Sequence, residues 1–239
     1  KIDRKYIIQL DKLFELPDLP KNLVVYGKGP FAVELAQFFH LIEKNVTLVT
    51  PDKEIIPGAD NYLSEYAIKI LNELGIPVIY SEKIGEYKDG MLKVGKNLVP
   101  CERIINCSSR EAIIPSSKIE IKRDERGYIE TNESFETSVP AIFAIGDVNG
   151  KSYLAHVASA QGIWVINKIK GIKTGFDFKN YPLNIYTYPE MAQIGKTEQN
   201  LKNEGIDYKL SEFPLSANGK ALTEGHAEGN IRIFSDKKY

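Results

Sequence analysis

The sequence predicts an α/β protein: a doubly wound parallel sheet, followed by a smaller region in which strands cluster around a helix. Apolar, β-type runs at 23–26, 46–49 and 77–80 alternate with helix-period segments. That β-α-β-α-β order demands parallel strands and right-handed connections. A glycine turn, Gly27-Lys28-Gly29-Pro30, separates the first of these strands from the first helix. From residue 181 the elements shorten and strands outnumber helices, which reads as an α+β unit.

Taken in order, Leu16-Pro17-Asp18-Leu19-Pro20 is a lead-in that cannot be helical throughout. Residues 23–26 form a short buried strand. Phe31, Leu35, Phe38, Phe39 and Ile42 then share one helix face, and Pro30 suits the first turn, where its missing N–H costs nothing. A second helix runs over about 62–74 and is closed by Gly75. Asp89-Gly90 is a hairpin signal, the meander continues through 97–100, and 103–107 returns as a buried strand. These elements make a first domain of residues 1–114. In 115–180, Asp124-Glu125-Arg126-Gly127 is a polar turn, 128–131 and 141–145 read as strands, and 154–169 as a helix bearing Trp164 and stopped at Gly171. The remaining 181–239 holds strands at 184–188, 191–194, 208–213 and 230–234, with one helix capped by Thr197 and ended by Gly205.

Composition excludes several functions. With 31 basic against 32 acidic side chains and a net charge of −1, nucleic-acid binding has no support. No apolar run approaches the ~18 residues of a membrane span. The opening Lys1-Ile2-Asp3-Arg4-Lys5 lacks a signal peptide's pattern, so a cytoplasmic location is expected. Cys101 and Cys107 have neither metal-type nor redox-type spacing, and Cys107 reads as a small buried hydrophobe. His40 and His226 have no acidic or cysteine neighbours in a ligand pattern, so no metal site is expected.

Two motifs carry chemistry. In Gly27-x-Gly29-x-x-Ala32 the first glycine permits a tight turn, the second lets the backbone approach a pyrophosphate, and Ala32 allows close helix packing. This makes the first domain Rossmann-type, with Lys28, Pro30 and Phe31 completing the turn. The plain alternative is that the small residues only let a helix pack on a sheet. At the end of the second strand, where dinucleotide folds place an acid for the ribose, stands Thr50; Asp52 follows two residues on, and Lys53 is the nearest added positive charge. NAD therefore suits the turn better than NADP. The second motif is Ala144-Ile145-Gly146-Asp147, an apolar run ending in a glycine and a carboxylate able to accept hydrogen bonds from a polyol. Leu154-Ala155-His156 then opens a helix whose N-terminal amides carry partial positive charge. The plain readings are a turn acid for Asp147 and a packed or surface residue for His156.

With Asp124-Glu125-Arg126-Gly127-Tyr128-Ile129 and Glu136-Thr137-Ser138-Val139-Pro140 at matching spacing, these motifs resemble the FAD-dependent pyridine-nucleotide–disulfide oxidoreductases. Ile185-Tyr186-Thr187-Tyr188-Pro189-Glu190-Met191-Ala192 and Phe213-Pro214-Leu215-Ser216-Ala217-Asn218 resemble that family's dimer-interface domain. They lean towards its dihydrolipoyl dehydrogenase branch, while mercuric reductase and related branches share much of the pattern. The resemblance makes 115–180 an FAD-contacting subdomain and 181–239 part of a dimerisation domain. It implies that Gly146 and Asp147 hold the FAD ribityl chain, and that Tyr153, Leu154, Ala155 and His156 approach the flavin. It implies that Glu34 pairs with a lysine beside flavin and nicotinamide, a solvated helix-face glutamate being the alternative. Where the family typically reads Ile-Gly-Arg-Arg-Pro, this chain has Asn106-Cys107-Ser108-Ser109-Arg110-Glu111, so Ser108 replaces a glycine that lies against the nucleotide. The family's redox cysteine pair and terminal His-Glu pair are not among these residues, and the ends read as cut ends of a longer protein. The implied parent is a homodimer that serves a 2-oxo acid dehydrogenase complex, passing electrons from dihydrolipoamide through cysteines and FAD to NAD. The chain alone is expected to be inactive. A non-catalytic binding or assembly protein on the same scaffold is the alternative.

Overall fold

Five parallel strands organise the computed structural model, which describes residues 2–8, 10–15, 18–108, 110–173 and 175–238. The chain divides into two compact units, one of residues 2–108 with 184–238 and one of residues 110–183. In the first unit β1 (Ile7–Ile8), β2 (Asn22–Gly27), α1 (Pro30–Leu41), β3 (Asn45–Thr50), α2 (Asn61–Glu73) and β4 (Val78–Tyr80) follow in sequence. A three-stranded antiparallel meander comes next, β5 (Ile84–Lys88), β6 (Met91–Val94) and β7 (Asn97–Pro100), before β8 (Arg103–Cys107) returns to the sheet. The strand order is β1-β8-β2-β3-β4. β2 therefore has β3 on one side and β8 on the other, which puts a topological switch point at the carboxyl ends of β2 and β8, where ligands enter such sheets.

Strand alternation explains how both faces of this sheet are covered. Val24, Val49 and Ile104 point to one face, where Leu92, Val94, Val99 and Cys101 of the meander close over them. Leu23, Val25, Leu48 and Ile105, at the alternate positions, are equally buried on the face that carries α1 and α2. Each such fully buried aliphatic side chain contributes about 1.5–3 kcal/mol relative to exposure. The meander is thus the second cover that a two-helix layer leaves missing. Its hairpin turns at Asp89 (φ 50°) and Gly90 (φ 76°), as the Asp-Gly signal requires. Cys101, rather than Cys107, is the fully buried thiol, and burial pushes it up to about 12; Cys107, at the end of β8, is only half-buried, against expectation. In the lead-in, Leu16 and Pro17 lie outside the described residues, and Asp18, Leu19 and Pro20 are not helical.

The second unit has one long element, α3 (Ala155–Ile169). The strands expected at 128–131 and 141–145 do not form. Single bridges stand in their place, Arg123 with Ile129 and Glu136 with Phe143. Phe135 (φ 60°) and Ala141 (φ 64°) adopt the left-handed conformation beside the second bridge, and that breaks any extended run. What holds this unit is an aromatic knot: the ring of Phe135 meets those of Trp164 and Phe178 edge-on, at centroid distances of 5.6 and 5.0 Å.

The chain re-enters the first unit through β9 (Leu183–Ile185) and β10 (Met191–Gln193), then α4 (Glu198–Asn203), β11 (Lys209–Pro214), α5 (Gly219–Glu224) and β12 (Asn230–Ser235). α4 has the expected Thr197 cap, completed by Asn200 into a capping box. α5 was not expected; Asn218 caps it by accepting from the Lys220 and Ala221 amides, and Gly225 ends it in the left-handed conformation. Among the described residues no helix is long and apolar enough to cross a membrane.

Candidate functional site

Backbone crowding builds the glycine turn. Gly27 ends β2 at φ 140°, and a Cβ there would lie 2.5 Å from the carbonyl carbon of Cys107 and 2.8 Å from the Ser108 nitrogen. The first glycine is therefore required by β8 whether or not a ligand binds. Gly29 differs. At φ 97° and ψ 172° it has a backbone that side chains avoid, yet nothing lies within 4 Å of where its Cβ would be. At the switch point and the start of α1, that open space leaves room for a pyrophosphate, so the turn fits a dinucleotide. Gly29 precedes Pro30 as the N-cap of α1, with no side chain capping the helix, and Ala32 is fully buried against the sheet. The Gly29 N–H is donated to the Ile55 carbonyl at 2.7 Å, which anchors the turn to the loop after β3.

That loop also carries the charge around the turn. Lys28 donates to Asp52 Oδ2 at 2.8 Å and lies 3.6 Å from Glu54. The hydrogen bond from Lys28 holds the Asp52 carboxyl below its ordinary range, and the same bond raises the Lys28 ammonium above its own. Thr50 is fully buried and its hydroxyl donates to the Asp52 carbonyl at 3.2 Å, so it shapes the loop. On the opposite lip, the N–H and hydroxyl of Ser108 both donate to Asn106 Oδ1, at 3.1 and 2.7 Å. Ser108 and Gly27 are thus neighbours at the switch point, whereas Ser109 lies outside the described residues. Phe31 lies half-buried in the first turn of α1.

Glu34 is half-buried on α1. Its carboxylate accepts the backbone N–H of Tyr186 at 2.9 Å. One helical turn on, Gln37 is buried and holds Tyr188 at two points, accepting its N–H at 2.6 Å and donating to its carbonyl at 2.8 Å. Gln37 belongs to no motif; a glutamine at an otherwise apolar helix position is the signal that marks it in the sequence.

In the second unit, Gly146 sits at φ 72°, and a Cβ there would come 3.2 Å from the Ala158 methyl of α3. Its N–H donates to the buried Gln161 Oε1 at 2.8 Å. Asn149 Nδ2 donates to the same oxygen at 3.2 Å and to the Ala144 carbonyl at 3.1 Å. These amides aim the following residue, Asp147, which is exposed and faces Arg110 Nη1 at 3.4 Å. The Arg110 guanidinium also lies over the Tyr153 ring at 5.5 Å. Hydrogen bonding with Tyr153, and then burial, push the neighbouring Tyr128 hydroxyl up to about 12.

Leu154 opens α3 with no side-chain cap, so the first-turn amides of Ala155 and His156 have no side-chain acceptor. The His156 ring is 2.9 Å from the Pro182 carbonyl. Close in sequence, the Ser152 hydroxyl is buried without a hydrogen-bond partner among the described residues. An orphaned donor beside an uncapped helix start and an exposed carboxylate fits a polyol-phosphate ligand such as a flavin nucleotide. Among the described residues no cluster of His, Cys, Asp or Glu is placed to hold a metal ion.

Comparison with known proteins covers both units. A family model described as pyridine nucleotide-disulphide oxidoreductase matches residues 2–162, and one for that family's dimerisation domain matches 181–239. A dihydrolipoyl dehydrogenase of Cupriavidus necator is 32% identical over 256 residues, covering 100% of this chain and 53% of its own length. One of Thermus scotoductus is 35% identical over 235 residues, covering 91% and 50%. Among solved structures, the HOCl-induced flavoprotein disulfide reductase RclA of Escherichia coli superposes with a TM-score of 0.85 at 22% identity, over 98% of this chain and 56% of that one. The chain spans about half the length of the curated relatives it matches.

Proposed function

The chain belongs to the pyridine nucleotide-disulphide oxidoreductase family, and we propose that it is the nucleotide-binding and flavin-contacting segment of a dihydrolipoyl dehydrogenase-like flavoenzyme. The family brings a flavin and a pyridine nucleotide, and its dimerisation domain brings a homodimer. In our reading the cofactors are FAD and NAD, the electron donor is dihydrolipoamide or a related dithiol, and a cysteine pair elsewhere in the whole protein takes the electrons first. A 2-oxo acid dehydrogenase complex is the natural setting for such a donor. The observation that carries this is the open Gly29 cradle at the β2–β8 switch point. FAD, when bound, supplies the two-electron chemistry that links a dithiol to a nicotinamide.

Each residue of the chain then has a positional task. Gly29 admits the pyrophosphate, and the start of α1 lends it partial positive charge. Two carboxylates, Asp52 and Glu54, face the one ammonium of Lys28, which leaves that end of the cradle unsuited to a 2′-phosphate and favours NAD over NADP. Asp147 and the α3 amides hold the ribityl and phosphate side of the flavin.

The direct test is NADH binding by the chain, read by cofactor fluorescence and by thermal unfolding. At ligand about a hundredfold above Kd the expected stabilisation is ~2.7 kcal/mol. The second reading, a scaffold without catalysis, draws on Ser108, whose side chain stands at the lip where the family has a glycine. Absence of any protection by NADH or NADPH would sink our first reading in favour of that one.

A further inference from the structure

A cavity of about 450 Å³ lies in the first unit, away from the glycine turn, between α2, the β9–β10 loop and the segment leading into β12. Its walls are aromatic. Tyr62 and Tyr66 stack with their planes 6° apart and centroids 6.4 Å apart. Across from them stands the Tyr188 ring, edge-on to His226, with its hydroxyl 3.3 Å from the histidine Nδ1. Glu190 and Glu228 also line the cavity, and among the described residues neither is in an ion pair. Electron-rich ring faces beside unpaired carboxylates select for an organic cation.

Two of the chain's own cations already stand on these rings, and Lys69 Nζ lies 5.8 Å from the Tyr66 centroid. On Tyr62 the guanidinium of Arg232 lies 4.4 Å from the ring centroid while its Nε donates to Glu212 at 2.7 Å. A planar guanidinium stacks on a tyrosine and forks onto carboxylates at once, which an ammonium does less well. We propose that the cavity binds a second guanidinium from outside the chain, carried on a short aliphatic stem, with its plane on the tyrosines and its N–H groups on Glu190 and Glu228. The volume suits a ligand of arginine size and lies within the range of ordinary small-molecule sites.

The test is titration of the chain with agmatine, followed through the tyrosine ring resonances. Saturable binding with a Kd on the order of 1 mM is expected. Glu228→Gln and Tyr188→Leu, both exposed positions, should each weaken it by about tenfold, equivalent to one power of ten in Kd. 1,4-Butanediol, which lacks the cation, should not saturate. A Gly-Arg-Gly tripeptide separates sources: tighter binding than agmatine assigns the site to an arginine of a partner protein, weaker binding to a free metabolite. Equal response to agmatine and the diol, no saturation, or unchanged affinity in both variants overturns the proposal. NADH binding is expected to be unaffected by these variants, so the two sites stand or fall separately.

Discussion

The two cofactor motifs of this chain are held in opposite ways. Gly27 is fixed by backbone, at the end of a parallel strand paired to two neighbours, with the Cys107 and Ser108 backbone against it. Gly146 has no sheet behind it; side-chain amides of Gln161 and Asn149 hold the segment in place. A site built from a sheet is over-determined and tolerates a change of ligand. A site built from a few buried hydrogen bonds depends on each of them. This contrast sets the order of the expected effects.

The largest belongs to Gly27→Ala. No flexible side chain can give way to the new methyl, since all three nearest atoms are backbone. Loss of more than about 4 kcal/mol is expected, in the range reserved for severe core damage. Urea unfolding followed by far-ultraviolet circular dichroism should show it. The single tryptophan, Trp164, lies in the other unit and separates the two transitions. A stable, NADH-binding Gly27→Ala chain would show that the β2–β8 junction is looser than described.

Gln161→Leu strikes the amide-held motif. It removes the acceptor of the Gly146 N–H and one of two acceptors of Asn149 Nδ2. A buried donor left without a partner costs about 1–3 kcal/mol. A loss of ~2 kcal/mol is expected in the Trp164 fluorescence transition, with NADH affinity unchanged. Equal loss in both units would erase the distinction drawn between them.

Next comes Gly29→Ala, where space is open but the backbone is not one that alanine adopts. Strain of ~1–2 kcal/mol is expected, with no clash. The methyl would stand in the cradle, so NADH affinity should fall by about tenfold. If stability falls and affinity does not, the open space above Gly29 is not where the pyrophosphate lies.

Much of this contrast was legible in the sequence, and the limits have physical causes. The β2-turn-α1-β3-α2-β4 succession could be read because buried parallel strands are continuous apolar runs and α1 carries a helical period with proline at its start. The strand expected at 141–145 is equally apolar, but a positive φ at Ala141, invisible in an alanine, breaks it. Asp147 could be singled out because glycine precedes it. Its support by Gln161 could not, since the pairing joins residues 15 apart across a turn and a helix. Glu34 was legible as a marked position and not as a partner of Tyr186, which lies 152 residues away. Spacing rules speak for local geometry, and long-range hydrogen bonds lie beyond them.

The smallest expected effect concerns the charges on the sheet-built turn. Asp52 is held low by the hydrogen bond from Lys28, so its contribution to stability is present above the ordinary aspartate range and lost as pH falls through its lowered value. Lys28 is held high by the same bond, so its contribution is present below the ordinary lysine range and lost as pH rises through its raised value. The pair is therefore intact from about pH 4 to about pH 10. Because both side chains reach solvent, removing the link should leave unfolding nearly unchanged. Its effect should appear in cofactor choice. Asp52→Asn removes one of two carboxylates facing Lys28 and frees the ammonium for a 2′-phosphate, so NADPH affinity should rise two- to threefold relative to NADH, a factor worth roughly 0.5 kcal/mol. A carboxyl carbon titration should show Asp52 rising towards its ordinary range in Lys28→Met, the Glu54 N–H still holding its other oxygen. If Asp52 titrates identically with and without Lys28, the pair does not form in solution, and the preference for NAD must come from Thr50 and the loop shape instead.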